Sequence, residues 1–313
     1  MMLSLRSFTR NRPIASAVFF LLAFLSKETG IVTPLIALYI AYTVKKSDIR
    51  ATLKKGLYFV PPLAVGFLLR YIALGSYAFG IGVPDPAQFI YNPTAFSSWS
   101  DRVATAFSVT FLYVQKILFP TNLAPNYSYN QLPLVTNILT SWQAIFGMIL
   151  LASFLYISAS PRLKNSPAGL GAVFFLAPYL MISNIIFPIG DIMGERFMYI
   201  PSAGIAILIT LFGIHIKGAL GRRAASYALL VTLAAIALGG YAWKTILQNR
   251  IWHSNQSLVA AMLVTSPQSV LAHTEAAALA MGNGEIDHAQ KEASIAVRIY
   301  PFAPAYDILG RAA

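Results

Sequence analysis

The stretch LAFLSKETGIVTPLIAL (residues 22–38) sets a lysine beside a glutamate inside an apolar run. Across residues 14–44 only Lys27 and Glu28 carry charge. A second stretch, FPIGDIMGERFMYIPSAG (187–204), gathers Asp191, Glu195 and Arg196 between two further apolar runs. An ionised side chain at a bilayer centre costs roughly 2.5–3.5 kcal/mol, so such groups either sit at the membrane surface or are buried for a purpose. Arginine binds phosphate in a bidentate fork and lysine as a point charge, which makes a phosphate at the surface one such purpose. Mutual neutralisation of lysine with glutamate and of glutamate with arginine is the other. The residues alone leave both readings open.

Other chemistries find little support. The chain has no cysteine, which removes disulfides, thiolate zinc sites and cysteine nucleophiles. His215, His253, His273 and His288 lack metal-ligand spacing, so no metal site is expected, and no GxxxxGK loop for nucleotide phosphates is present. No cofactor is called for. Asn126-Tyr127-Ser128 and Asn255-Gln256-Ser257 match the glycosylation sequon by pattern only.

The elements that must position these groups are membrane helices. The 313 residues are 57% hydrophobic and 11% charged, against about 25% charged in a soluble domain. The net charge of +12 does not point to nucleic acid, because of where the cations lie. Lys45, Lys46, Arg50, Lys54 and Lys55 crowd one short gap between apolar runs, Arg162 and Lys164 a second, and Lys217, Arg222 and Arg223 a third. That is the positive-inside pattern, and it places the three gaps, read as loops, in the cytoplasm.

Topology follows by parity. Residues 57–79 span outward and 142–158 inward, so 80–141 begins and ends outside. Within it, 103–119 carries Gln115 and Lys116 and is flanked by Arg102 and Pro120; parity makes it an interfacial helix. Residues 170–187, 197–216 and 227–245 span next, leaving the tail outside. Lys27 and Glu28 reach the outer surface if 14–25 and 31–44 form a hairpin of two spans, and a single broken helix with the pair at mid-depth is the alternative. The expected fold is all-α: a polytopic helical bundle of about seven spans plus the outer interfacial helix, with 1–246 as the membrane domain.

From residue 247 the composition turns polar and alanine-rich. EAAALAMGNGEIDHAQKEASIAVRIYP places Ala277, Gly284, Ala289, Ala296 and Pro301 as in a tetratricopeptide repeat, with alanines packing two helices, glycine in the turn and proline ending the second helix. Pro267 and Pro301 lie 34 residues apart, one repeat length. Residues 247–313 therefore read as an incomplete α-solenoid.

Three stretches in this order, LAFLSKETGI (22–31), NPTAFSSWSDRVATAFSVTFLYVQKILFPTNLAPNYSY (92–129) and GERFMYIPSAG (194–204), together with the repeats, resemble the transmembrane and tetratricopeptide-repeat proteins. These are C-type glycosyltransferases related to protein O-mannosyltransferases. The resemblance implies transfer of a sugar, typically mannose, from a polyprenyl- or dolichyl-phosphate donor to protein hydroxyls at the non-cytoplasmic face, in the endoplasmic reticulum lumen or on the bacterial periplasmic side. It implies Lys27 and Arg196 as ligands of the carrier phosphate, with Glu28 and Glu195 orienting them, Arg102 and Tyr127 supporting, and the repeats presenting the acceptor protein. Such enzymes carry an early acidic outer loop that supplies the general base. SKETG stands here by residue 26, so the catalytic residue is unassigned and an amino-terminally incomplete member is expected. A non-catalytic membrane-anchored repeat scaffold is the alternative function, and a transporter a more distant one.

Overall fold

The computed structural model describes residues 1–75, 86–219 and 224–313, and every regular element among them is a helix. Asp85, an outer carboxylate by the topology above, and the loop cations Arg222 and Arg223 lie outside the described residues. Four of the described helices are long and apolar enough to cross a membrane: Ile49–Leu74, Trp142–Ala159, Pro201–Gly218 and Ala228–Ile251. Three shorter apolar helices accompany them, Pro13–Ser26, Glu28–Val44 and Pro167–Ile182. The chain divides into two compact units.

The first unit comprises Met1–Val83, Leu151–Ile182 and Tyr199–Phe212. Helix α1 (Met2–Thr9) packs on α2 (Pro13–Ser26) through buried serines: Ser4 Oγ donates to Ser16 O at 2.8 Å and Ser16 Oγ to Ser4 O at 3.0 Å. Proline at the first position of α2 fits a helix start, where its missing N–H costs nothing. Helical geometry stops at Lys27, which is extended (φ −160°, ψ 139°). The chain then folds back so closely that a Cβ on Gly30 would lie 2.5 Å from Ala23 O. A 3-10 turn (Glu28–Val32), α3 (Thr33–Tyr39) and a π segment (Ile40–Val44) return it to its starting level, where Lys45 Nζ donates to Thr9 O. Residues 13–44 are thus a helical hairpin with Lys27 and Glu28 at its tip. Phe8, Phe20, Phe24, Ile36, Phe59 and Phe174 fill the core beside it.

The gap 45–55 is shorter than the sequence suggested. Asp48 accepts from Arg50 N at 2.9 Å and starts α4 (Ile49–Gly56), so Arg50, Lys54 and Lys55 are helical rather than looped. An aspartate N-cap followed by good helix formers is the reason. A 3-10 turn leads on to α5 (Val60–Leu74). α8 (Pro167–Ile182) crosses α9 (Pro201–Ala219) at paired glycines; a Cβ on Gly204 would meet Gly171 O at 2.3 Å. Small residues at a crossing let membrane helices approach closely. The cationic segments share one end of this unit: Tyr39 Oη donates to Ser158 O and Lys164 O, and Lys164 Nζ lies 5.1 Å from the Tyr42 ring centroid. Lys27 sits at the other end, about 21 Å away along the 14 residues of α2.

The second unit comprises Pro84–Leu150, Ser183–Met198 and Gly213–Ala313. α6 (Trp99–Leu118) has 20 residues, yet it is not among the candidate spans; it carries Asp101, Arg102 and Lys116. It packs on α7 (Trp142–Ala159), where Gly147 lies against the Phe107 backbone. α10 (Ala224–Ile251) runs through the expected 246/247 boundary. Four helices follow: α11 (Asn255–Thr265), α12 (Val270–Gly282), α13 (Ile286–Ile299) and α14 (Ala303–Ala312). Ala277, Ala289 and Ala296 are fully buried. Gly284 takes φ +80° in the turn between α12 and α13, and Pro301 follows an extended Tyr300 after α13. His273 of α12 meets Glu292 of α13 at 2.7 Å, both buried. The tail core continues into the 80–141 region through Ile90 and Tyr91, and Ser128 Oγ lies 2.7 Å from Ser269 Oγ.

Candidate functional site

In the first unit the charged tip of the hairpin faces the last turns of α5. Glu28 Oε1 accepts from Arg70 Nη1 at 2.9 Å, so Glu28 is held by a residue 42 positions away and not by its neighbour Lys27. Arg70 is a single charge near the end of an apolar run, and nothing in its local sequence marks it as the partner of Glu28. Lys27 is exposed and makes no ion pair among the described residues. A pocket of about 290 Å³ joins Lys27, Glu28 and Arg70 to the apolar walls Phe24, Leu25 and Leu69.

In the second unit the remaining candidates form a separate group. Glu195 opens a 3-10 turn (Glu195–Tyr199) and is half-buried. Its Oε1 accepts from Tyr127 Oη at 2.5 Å and from Ala124 N at 3.3 Å. Burial, and then the Glu195 carboxylate, push the Tyr127 phenol far above its ordinary range, so Tyr127 is a permanent donor here. Lys116 stacks over the Tyr127 ring with its Nζ 5.5 Å from the centroid and donates to Asn122 O at 2.8 Å. Burial lowers the Lys116 pKa, Glu195 pulls it back up, and Lys244 adds a smaller push down.

Arg196 points away from Glu195. Its Nη2 donates to Asp191 Oδ2 at 2.7 Å, and the guanidinium lies 4.8 Å from the Phe197 ring centroid. At 55% side-chain exposure it keeps donors free for an incoming anion, since guanidinium carries five. Orientation of Arg196 by Glu195 is therefore replaced by orientation through Asp191. The Asp191 loop is fixed in turn by Asn184 at φ +60°, whose side chain donates to Asp191 O at 3.2 Å. Asn92 donates to Asn184 Oδ1 at 2.9 Å and to Ile189 O at 2.6 Å. Tyr113 Oη accepts from Gly194 N at 2.8 Å. Arg102 makes no hydrogen bond to Tyr127, and its Nε is buried with no hydrogen-bond partner among the described residues.

Lys27 and Arg196 belong to different units, each with its own acidic neighbour. Both are exposed cations; Arg196 is paired with Asp191, whereas the carboxylate beside Lys27 is taken by Arg70. Among the described residues no three His, Asp or Glu side chains group as a metal site.

No protein-family model matches the chain, and no solved structure matches it. The chain is 27% identical to protein O-mannosyl-transferase TMTC1 of Homo sapiens over 223 residues, covering 70% of this chain and 25% of that protein. It is 29% identical to the protein of the same name in Mus musculus over 221 residues, covering 67% and 23%. It is 26% identical to protein O-mannosyl-transferase F38B6.6 of Caenorhabditis elegans over 289 residues, covering 90% and 38%. The chain thus spans 23–38% of the length of these relatives. Together with the apolar helices, this similarity identifies an integral membrane protein.

Proposed function

We infer that the chain, whose homologues are the TMTC-family protein O-mannosyl-transferases, serves protein O-mannosylation at a membrane. The reaction moves a sugar, mannose, from a polyprenyl- or dolichyl-phosphate carrier to serine or threonine hydroxyls. The observation that carries this reading is the similarity over most of the chain to proteins of that name. When the glycosyl–phosphate bond breaks, negative charge grows on the carrier phosphate, and preorganised cations stabilise it. Lys27 and Arg196 take that role, Lys27 as a point charge and Arg196 as a fork steadied by Asp191. Glu195 and Tyr127 brace the loop that bears Arg196, with Arg102 on α6 as a further cation of the same unit. The acceptor hydroxyl must lose a proton to a base, and no residue of this chain is assigned to it.

The four long and three short apolar helices serve as seven spans in this reading. The cationic end of the first unit faces the cytoplasm; the hairpin tip, the 80–141 region and the tail lie on the non-cytoplasmic side. The α11–α14 helices act as a tetratricopeptide-repeat segment that presents the acceptor. Support comes from their buried alanines and the Gly284 turn.

The test is transfer of labelled mannose from dolichyl phosphomannose to a serine-containing peptide by the protein in native-like membranes. Lys27→Ala and Arg196→Ala should each lower the rate about a hundredfold while folding is kept. Normal transfer by both variants would remove the phosphate role from these residues. Absence of transfer alongside retained peptide binding would favour a scaffold.

A further inference from the structure

A cavity of about 660 Å³ opens in the second unit, with Pro125 and Asn126 on one side and α11 and α12 on the other. Its size falls within the range of about 300–1,000 Å³ usual for ligand pockets. Apart from Trp252 its apolar lining is aliphatic, including Leu271 and Leu279 of α12. Its polar groups are unengaged: the side chains of Asn255, Glu275 and Asn283 make no hydrogen bond or ion pair among the described residues. Asn126 adds an Oδ1 that is buried with no partner among the described residues, and a buried acceptor left without a donor costs about 1–3 kcal/mol. Among the described residues of the lining, Glu275 is the single charged one, and it is a carboxylate in a chain of net charge +12.

We propose that this cavity holds an extended segment of the acceptor protein, in which a lysine or arginine flanked two positions away by apolar residues lies along α12 with its cation on Glu275. The proposal rests on the reading of α11–α14 as the part that presents the acceptor. Spacing favours it. Leu271, Glu275 and Leu279 recur every four residues along α12, a rise of about 6 Å per step on one helix face. Alternate residues of an extended chain share a face and stand about 6.5–7 Å apart, so an apolar–x–basic–x–apolar segment meets the three in register. The Asn255 and Asn283 amides each offer donors and an acceptor, which suits the N–H and C=O groups of such a segment. An anionic ligand would meet Glu275 with no cation beside it, and the hydroxyls of a sugar would find an aliphatic floor. The wall is also continuous with the loop that bears Arg196, because Ala124 N and Tyr127 Oη, on either side of Pro125 and Asn126, both donate to Glu195.

The test is binding of fluorescein-labelled peptides to the full chain in phosphatidylcholine nanodiscs, with empty discs as the baseline. The probe peptide reads serine-valine-serine-lysine-serine-valine-serine, and two controls carry glutamine or glutamate in place of the lysine. The lysine peptide should bind about two- to fivefold tighter than the glutamine peptide, as an exposed ion pair allows, and the glutamate peptide should bind weakest. Glu275→Gln should make the lysine and glutamine peptides equal while leaving the glutamine peptide unchanged. Glu275→Lys should turn the preference towards the glutamate peptide, a gain that misfolding cannot produce. If the wild type binds none of the peptides or all of them alike, or if the lysine preference survives in Glu275→Gln, the proposal is overturned. Displacement of the lysine peptide by methyl mannoside as readily as by unlabelled peptide would make a sugar the occupant and overturn it too. Transfer of mannose from dolichyl phosphomannose to the same peptides separates the two readings. Equal transfer to all three overturns the docking segment and leaves the transferase standing, whereas Glu275-dependent binding without transfer keeps the peptide site and sinks the transferase.

Discussion

Replacing Tyr127 by phenylalanine removes one oxygen from a buried ring and leaves Glu195 short of its best donor. The bond is 2.5 Å long, and Tyr127 is only 5% exposed, so water cannot readily take the hydroxyl's place. Hydrogen bonds to charged groups contribute about 1.5–3 kcal/mol. The remaining donor, Ala124 N at 3.3 Å, is too long to compensate, and Lys116 keeps its place over the ring. Tyr127→Phe should therefore cost about 2 kcal/mol, a factor of about 30 in the folding equilibrium. Glu195→Gln can still accept the phenol proton through its amide oxygen and should cost less. Equilibrium unfolding of the detergent-solubilised protein, run as a double-mutant cycle, isolates the pair. The cycle should yield a coupling of about 1–2 kcal/mol. A coupling within about 0.5 kcal/mol of zero would mean that the two side chains do not meet, and the bracing of the Arg196 loop would fall with it.

Further outcomes follow from other sites. His273→Leu removes the 2.7 Å contact to Glu292 between α12 and α13 and leaves that carboxylate with His288 Nε2 at 3.6 Å; it should destabilise by about 1–3 kcal/mol, read as a loss of tail protection in hydrogen exchange. Ala289→Leu forces a large side chain into a fully buried position; a cost of about 1–3 kcal/mol should appear in the same experiment. Gly30→Ala drives a Cβ into the Ala23 backbone and should open the hairpin, seen as new cysteine-label access in a background with Thr33→Cys, a position fully buried in the intact hairpin. Lys116 is held below the usual lysine pKa chiefly by burial, so its charged form disfavours the fold at neutral pH. Stability should rise with pH between that lowered value and the unfolded value of about 10.4, and Lys116→Met should remove the rise.

Much of this architecture could be read from residue types alone, and the reasons are local. Apolar length reveals membrane helices, and the Lys27–Glu28 pair marks the hairpin tip because charge is costly inside a bilayer. Gly284 and Pro301 mark a turn and a helix end through backbone geometry. The pairings were not legible. Glu28 bonds to Arg70, 42 residues away, and Glu195 to Tyr127, 68 residues away, because tertiary packing decides which side chains meet. Adjacent residues on a turn point apart, so Lys27–Glu28 and Glu195–Arg196 looked like pairs in sequence and are not pairs in space. The helical nature of Arg50, Lys54 and Lys55 was hidden by their charge, which reads as a loop until the Asp48 cap is seen.

The most direct measurement is transfer itself. The protein reconstituted in liposomes, given dolichyl phosphomannose and a serine/threonine acceptor protein, should move labelled mannose to the acceptor. A water-soluble nucleotide sugar should not replace the lipid donor. No transfer from the lipid donor, or equal transfer from the nucleotide sugar, would contradict the account.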